Sequence, residues 1–86
     1  MATVQLSNDA AKELRGLPHM YVSAVAEALR SLAVEPLSGK PLRGDYLGSR
    51  SRRVGTYRIV YAFDPKTDRV SVFAIRHRSE AYRRAR

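Results

Sequence analysis

The chain has 86 residues, with 16 Lys and Arg against 8 Asp and Glu, a net charge of +8 and no cysteine. That length supports one modest core, burying ~60–65% of the surface that an unfolded chain exposes, and the composition excludes disulfides and thiolate metal sites. His19 and His77 lack a ligand spacing, no apolar run approaches the ~18–20 residues of a membrane span, and MATVQLSND lacks the charged start and apolar middle of a signal peptide, so a cytoplasmic protein is expected.

Val4–Leu6 reads as a short first strand. Ser7, Asn8 or Asp9 can then cap a helix, an oxygen accepting from the free N–H groups of its first turn. Ala10, Leu14 and Leu17 follow at helical spacing and make one apolar stripe. Gly16 and Pro18 interrupt it, and since proline suits a first helical turn, a second helix is expected from about Pro18 to Val34. Val22, Val25, Leu29 and Leu32 form its stripe, flanked by alanines that allow close packing. The short break predicts an antiparallel helix pair, with the polar residues of this half as solvated face.

"EPLSGKPLRG", Glu35 to Gly44, has two prolines and two glycines and reads as a loop, anchored to the core by Leu37 and Leu42. Tyr57, Ile59, Tyr61 and Phe63 alternate with Arg58, Val60 and Ala62, which predicts a strand. "DPKTD" (Asp64–Asp68) is a turn, and "VSVFAI" (Val70–Ile75) is the next strand. The tail "SEAYRRAR" is expected either to form a final helical turn or to fray. The fold class is therefore α+β over one domain, residues 1–86: an N-terminal strand, an antiparallel helix pair, then an antiparallel β-meander whose sheet carries the helices on one face.

Charge is unevenly placed. Residues 1–42 hold four basic and four acidic side chains, while residues 43–86 hold twelve basic, eleven of them arginine, against four acidic. Arginine rather than lysine is preferred where a planar fork meets phosphate or stacks on a base, so the bias points to a polyanion partner.

Strand alternation divides this charge between two faces. The row Tyr57, Ile59, Tyr61, Phe63 should face the helices and the row Arg58, Val60, Ala62 the open side. If the following turn pairs residues of equal parity, Ser71, Phe73 and Ile75 join the core row, and Val70, Val72, Ala74, Arg76 and Arg78 join the row of Arg58. Gly55 and Thr56 suit a two-residue hairpin turn, which sets Arg53 opposite Arg58. Arg53, Arg58, Arg76 and Arg78 then meet at one end of the open face. Like charges set opposite one another are destabilising, so such a cluster implies an anion that the chain does not itself supply. Arg50 and Arg52 have the other parity and point to the helix side, on an edge strand where charge also discourages aggregation. Tyr82 lies four residues past Arg78 and is a candidate for base stacking or proton transfer.

"PLRGDYLGSRSRRVGTYRIVYAFD" followed by "VSVFAIRHRSEAY" resembles the RelE/ParE superfamily of bacterial toxins, closest to the RelE branch with its YoeB-like proteins. The resemblance implies a small α+β toxin of a type II toxin–antitoxin system. It implies an endonuclease that cuts messenger RNA in the ribosomal A site, with contacts to 16S rRNA and silencing by a cognate antitoxin. Cleavage there uses the message's own 2′-hydroxyl and no metal or other cofactor, so neither is expected here. The resemblance maps catalytic roles onto Arg53, Arg58, Arg78 and Tyr82, and RNA contacts are expected from Arg50, Ser51, Arg52, Arg76 and His77. Some RelE proteins carry two lysines where this chain has Ser49 and Ser51, and the acidic base of YoeB-like members has only Asp45 as a counterpart. The other readings are a ParE-like gyrase inhibitor, against which the "HR---Y" ending argues, and a non-catalytic RNA- or ribosome-binding homologue.

Overall fold

Local chemistry sets the helix ends. In the computed structural model, which describes residues 1–80, strand β1 (Thr3–Leu6) runs into helix α1 (Asn8–Arg15). Ser7 caps that helix, its Oγ accepting from the Ala10 N–H at 3.0 Å, and the Gly16 N–H closes it on Lys12 O at 3.0 Å. Helix α2 (His19–Val34) starts one residue after Pro18, because Pro18 has extended ψ (139°) and serves as the cap residue instead of the first helical one. The buried face of α2 is Val25, Ala28, Leu29 and Leu32. Val22, expected in that stripe, is 38% exposed; Tyr21 takes its place, its ring 4.8 Å from that of Tyr57.

Strands β2 (Lys40–Pro41), β3 (Arg50–Val54), β4 (Tyr57–Asp64) and β5 (Arg69–His77) follow, with a 3₁₀ turn at Gly44–Tyr46. The sheet order is β1-β5-β4-β3-β2. The meander β3–β4–β5 is antiparallel as expected, and β1 joins its far side parallel to β5. The helices cover one face, where Ala10, Leu17, Val25, Leu29 and Leu32 pack with Ile59, Tyr61, Val70, Val72 and Ile75.

Two expectations about faces need correction. Equal-parity pairing holds only at the hairpin end of β5, where Ile59 faces Ile75 and Val60 faces Ala74; between Val60 and Tyr61 the register shifts, and Tyr61 pairs with Val72 and Phe63 with Val70. A β-bulge inserts one residue and so exchanges the faces beyond it. Val70 and Val72 are therefore core residues, while Phe73 is 47% exposed and Ser71 lies opposite Ala62. Secondly, the segment read as a plain loop contains β2 and the 3₁₀ turn. Its Leu42, with Tyr46, packs not on the core but on Val60 and Ala74, roofing part of the opposite face, and Leu37 is 59% exposed.

The turn after α2 is held by polar contacts instead. Tyr61 is fully buried; its hydroxyl donates to Pro36 O and accepts from the Gly39 N–H, both at 2.9 Å. Arg50 Nη1 donates to Gly39 O at 2.8 Å and Leu37 O at 3.2 Å. A Cβ on Gly39 would lie 2.6 Å from the Tyr61 hydroxyl, so only glycine fits there without displacement. Replacing Tyr61 by Phe should cost about 1–3 kcal/mol, the penalty of a buried donor left unsatisfied. The check is urea unfolding of Tyr61→Phe and Gly39→Ala, both expected to be clearly less stable than the parent chain.

Candidate nucleic-acid interface

A two-residue turn at Gly55–Thr56 joins β3 to β4, with Gly55 at φ +59°, a backbone conformation that glycine adopts without strain. The turn fixes the register: Val54 opposite Tyr57, Arg53 opposite Arg58, and across the next pair Arg58 opposite Arg76. Three arginines thus stand in one row across β3, β4 and β5, on the face away from the helices, with directly opposed side chains about 4.5–5.5 Å apart at Cβ. Arg53 is exposed, and Arg58 and Arg76 are partly so. Arg78 follows β5 directly; it is exposed, and its N–H donates to Thr56 O at 2.7 Å, which holds it beside the hairpin tip.

Glu13 of α1 reaches this row. The strand β1 ends opposite Val72, so β5 continues beyond it with an unpaired edge. There the Glu13 carboxylate accepts from the Ile75 N–H at 3.0 Å through Oε1 and binds Arg76 Nε through Oε2. One side chain both caps a sheet edge and fixes a guanidinium through its Nε. Sequence reading placed Glu13 among solvated residues of α1. Its partners lie 62 and 63 residues away, and the only cue in the chain is the mismatch between a short first strand and a long last one.

The next row inward is Lys40, Ser51, Val60 and Ala74, set by cross-strand register. Ser51, expected to contact RNA, is 4% exposed beneath the cover that Leu42 and Tyr46 provide, and its Oγ finds no hydrogen-bond partner among the described residues. It is on the open face, as alternation requires, but withheld from solvent.

Arg50 and Arg52 lie on the helix side, as their parity predicted. Arg50 holds the turn after α2, and Arg52 Nη1 donates to Ser31 Oγ at 2.8 Å. β2 covers the outer side of their strand only at Arg50 and Ser51, so the edge expected for both is left open at Arg52. His77 also faces the helix side, opposite Tyr57; its ring stands edge-on to the Tyr57 ring at 5.7 Å, and Nδ1 accepts from the Ser79 N–H at 3.3 Å. Of the residues assigned RNA contacts, only Arg76 shares the open face and is partly exposed there. Tyr82 lies outside the described residues.

Such a row can bind one extended anion. Guanidinium forks donate in parallel pairs to phosphate oxygens, and three strands of a sheet hold them at fixed spacing. Among the described residues no three of His, Cys, Asp and Glu gather into a metal-holding group, and no helix is long and apolar enough to cross a membrane.

Comparison with known proteins agrees with this architecture. Residues 4–82 match the sequence profile described as the ParE toxin of type II toxin–antitoxin system, parDE. Toxin RelG of Mycobacterium tuberculosis is 40% identical over 84 residues, covering 95% of this chain and 97% of its own length. Among solved structures, the toxin–antitoxin complex RelBE2 of the same organism contains a chain with a TM-score of 0.82 and 37% identity, over 88% of this chain and 96% of that one. The isolated E. coli RelE toxin has the same fold, with a TM-score of 0.78 at 20% identity over 90% of this chain and 84% of its own.

The two contacts of Glu13 can be separated by mutation. Glu13→Gln keeps an acceptor for the Ile75 N–H but removes the charge that holds Arg76. It should cost about 1 kcal/mol or less, as partly exposed ion pairs do. Glu13→Ala also strands the edge N–H and should cost about 1–3 kcal/mol. Chemical denaturation of the two variants measures this, and equal losses would show that the edge amide contributes nothing.

Proposed function

The chain belongs to the ParE toxin family of type II toxin–antitoxin systems, within the RelE/ParE superfamily, and on that premise we propose that it is a ribosome-dependent endonuclease that cuts messenger RNA in the A site. The observation that carries this reading is the row Arg53–Arg58–Arg76, with Arg78 at its end, on the sheet face opposite the helices. In the reaction the 2′-hydroxyl of the message attacks the adjacent phosphorus, the bond to the 5′-oxygen breaks, and a 2′,3′-cyclic phosphate remains. The attacking oxygen gives up its proton and the leaving 5′-oxygen takes one. Negative charge grows on the phosphate oxygens in between, and preorganised guanidiniums stabilise it more in the transition state than in the ground state. RNA supplies the nucleophile, so the protein has only to position, stabilise and move protons.

In this scheme Arg53, Arg58 and Arg78 bind the reacting phosphate, and Arg76, held at Nε by Glu13, completes the row. Arginine is a poor proton carrier because its pKa is too high, so Tyr82, assigned from the sequence, is the proposed proton donor. Arg50 and Arg52 serve the fold, since their guanidiniums are committed to the turn after α2 and to Ser31. The basic surface faces 16S rRNA, and the protein works in the cytoplasm. A cognate antitoxin is the natural partner, as in the RelBE2 toxin–antitoxin complex; an acidic or amphipathic segment covering the arginine row would silence the enzyme.

Gyrase inhibition is the second reading, favoured by the ParE description of the matched family. The test is expression of the wild type, Arg58→Ala and Arg78→Ala without antitoxin, with primer extension on cellular messages. The wild type should arrest growth and leave cut messages. Each variant should fold normally and lose at least about 100-fold in cleavage, the scale of removing one oxyanion donor. Trapped gyrase with DNA damage and intact messages would select the second reading. Full toxicity in the double variant would sink the first.

A further inference from the structure

The bulge on β5 turns one aromatic ring out of the core. Among the described residues Phe73 is the one Phe or Tyr that is exposed, at 47%. It is not loose: Ser7, which also caps α1, donates from its N–H to Val72 O at 2.9 Å and from its hydroxyl to Phe73 O at 3.3 Å. The fold therefore builds and pins the exposure.

Ser71 lies opposite Gln5 and Ala62, on the face away from the helices, because its neighbours Val70 and Val72 are buried among core residues. Phe73, two residues on, borders the same shallow depression as Gln5, Ser7 and Ser71, about 240 Å³ in volume. This is less than the ~300–1,000 Å³ of an ordinary small-molecule cleft, but it has room for one planar heterocycle. The chemistry is one π-face beside the Gln5 amide and the Ser71 hydroxyl, the set that recognises a nucleobase by stacking and by its polar edge. Arg76 lies three residues further along the same strand, about 10 Å at ~3.3 Å per residue, within reach of a nucleotide flanking the phosphate on the arginine row. Leu6 and Val72 complete the lining of the depression; Val72 is buried and Leu6 half-buried, so Phe73 is the one exposed apolar side chain there, whereas a docking protein segment would want a contiguous apolar patch of several hundred Å².

We infer that Phe73, with Gln5 and Ser71, forms a subsite that stacks one base of the RNA flanking the cleaved phosphate; this rests on the RNA-cleaving reading above. The test uses programmed ribosomes whose message carries 5-iodouridine at successive positions around the A-site codon and 2′-deoxy sugars at the codon to block cleavage. Irradiation should crosslink one position to Phe73 in the full-length protein. Phe73→Leu, which keeps an apolar side chain without the π-face, should lose that crosslink. On an uncut natural message it should lower cleavage efficiency at least about fivefold, the lower end of one base–aromatic stack, with an unchanged unfolding midpoint. Cleavage that needs Arg58 but is unaffected by Phe73→Leu, with no crosslink at residue 73, overturns the subsite and leaves the enzyme reading intact. Weakened antitoxin binding in Phe73→Leu with normal cleavage also overturns it, assigning the ring to a protein partner. No cleavage by the wild type on programmed ribosomes overturns both.

Discussion

The two-residue turn at Gly55–Thr56 is the constraint on which the site depends. A hairpin loop of that length admits one register for β3 and β4, and side-chain direction in a strand has a period of two. Once Val54 stands opposite Tyr57, Arg53 must stand opposite Arg58, and both must point away from the helices while Ile59 and Tyr61 point toward them. A slip of one residue would drive arginines into the core and apolar side chains into water. Burial of Ile59 and Tyr61 therefore holds the arginines in place, and packing on one face sets electrostatics on the other.

The helix face is a scaffold with several polar fixings. Tyr61, Gly39 and Arg50 tie down the turn that follows α2, and Arg52 ties β3 to that helix through Ser31. The open face is less uniform than a bare basic surface. Its hairpin end is the arginine row, its middle is roofed by Leu42 and Tyr46, and beyond the bulge it presents Phe73 and small polar side chains. Glu13 links the faces, since a helix residue fixes one of the open-face arginines. For a protein whose reaction is proposed to consist of stabilising charge, this rigidity is the relevant property: guanidiniums held by a sheet need little reorganisation when charge develops.

Most of this was legible in the chain because it rests on local chemistry. The Ser7 cap, the glycine–proline break between the helices, the Gly55 turn and strand alternation each act over a few residues. They located both helices, four of the five strands and the convergence of Arg53, Arg58 and Arg76. What escaped depends on distant partners. The bulge beside Val60 leaves no mark in "VSVFAI", a run so apolar that either parity reads as core, so Phe73 and Val72 were exchanged. Glu13 looks like any solvated helix carboxylate until β1 proves shorter than β5. The burial of Ser51 follows from Leu42 and Tyr46 folding over the sheet, which no spacing in the loop announces. Arg50 and Arg52 were given the right face, but the bonds of Arg50 to the turn's carbonyls and of Arg52 to Ser31 were not foreseen, because charge in sequence does not show which guanidiniums the fold itself engages.

The proposed chemistry comes down to one step: the message attacks itself and the arginine row stabilises the phosphate. The most direct measurement is the identity of the cut ends on programmed ribosomes, for a natural message and for one with a single 2′-deoxy sugar at the nucleotide 5′ to the cut. The account predicts a 2′,3′-cyclic phosphate and a 5′-hydroxyl on the natural message, and no cut at that position in the deoxy message. Continued cutting of the deoxy message at the same bond would contradict it.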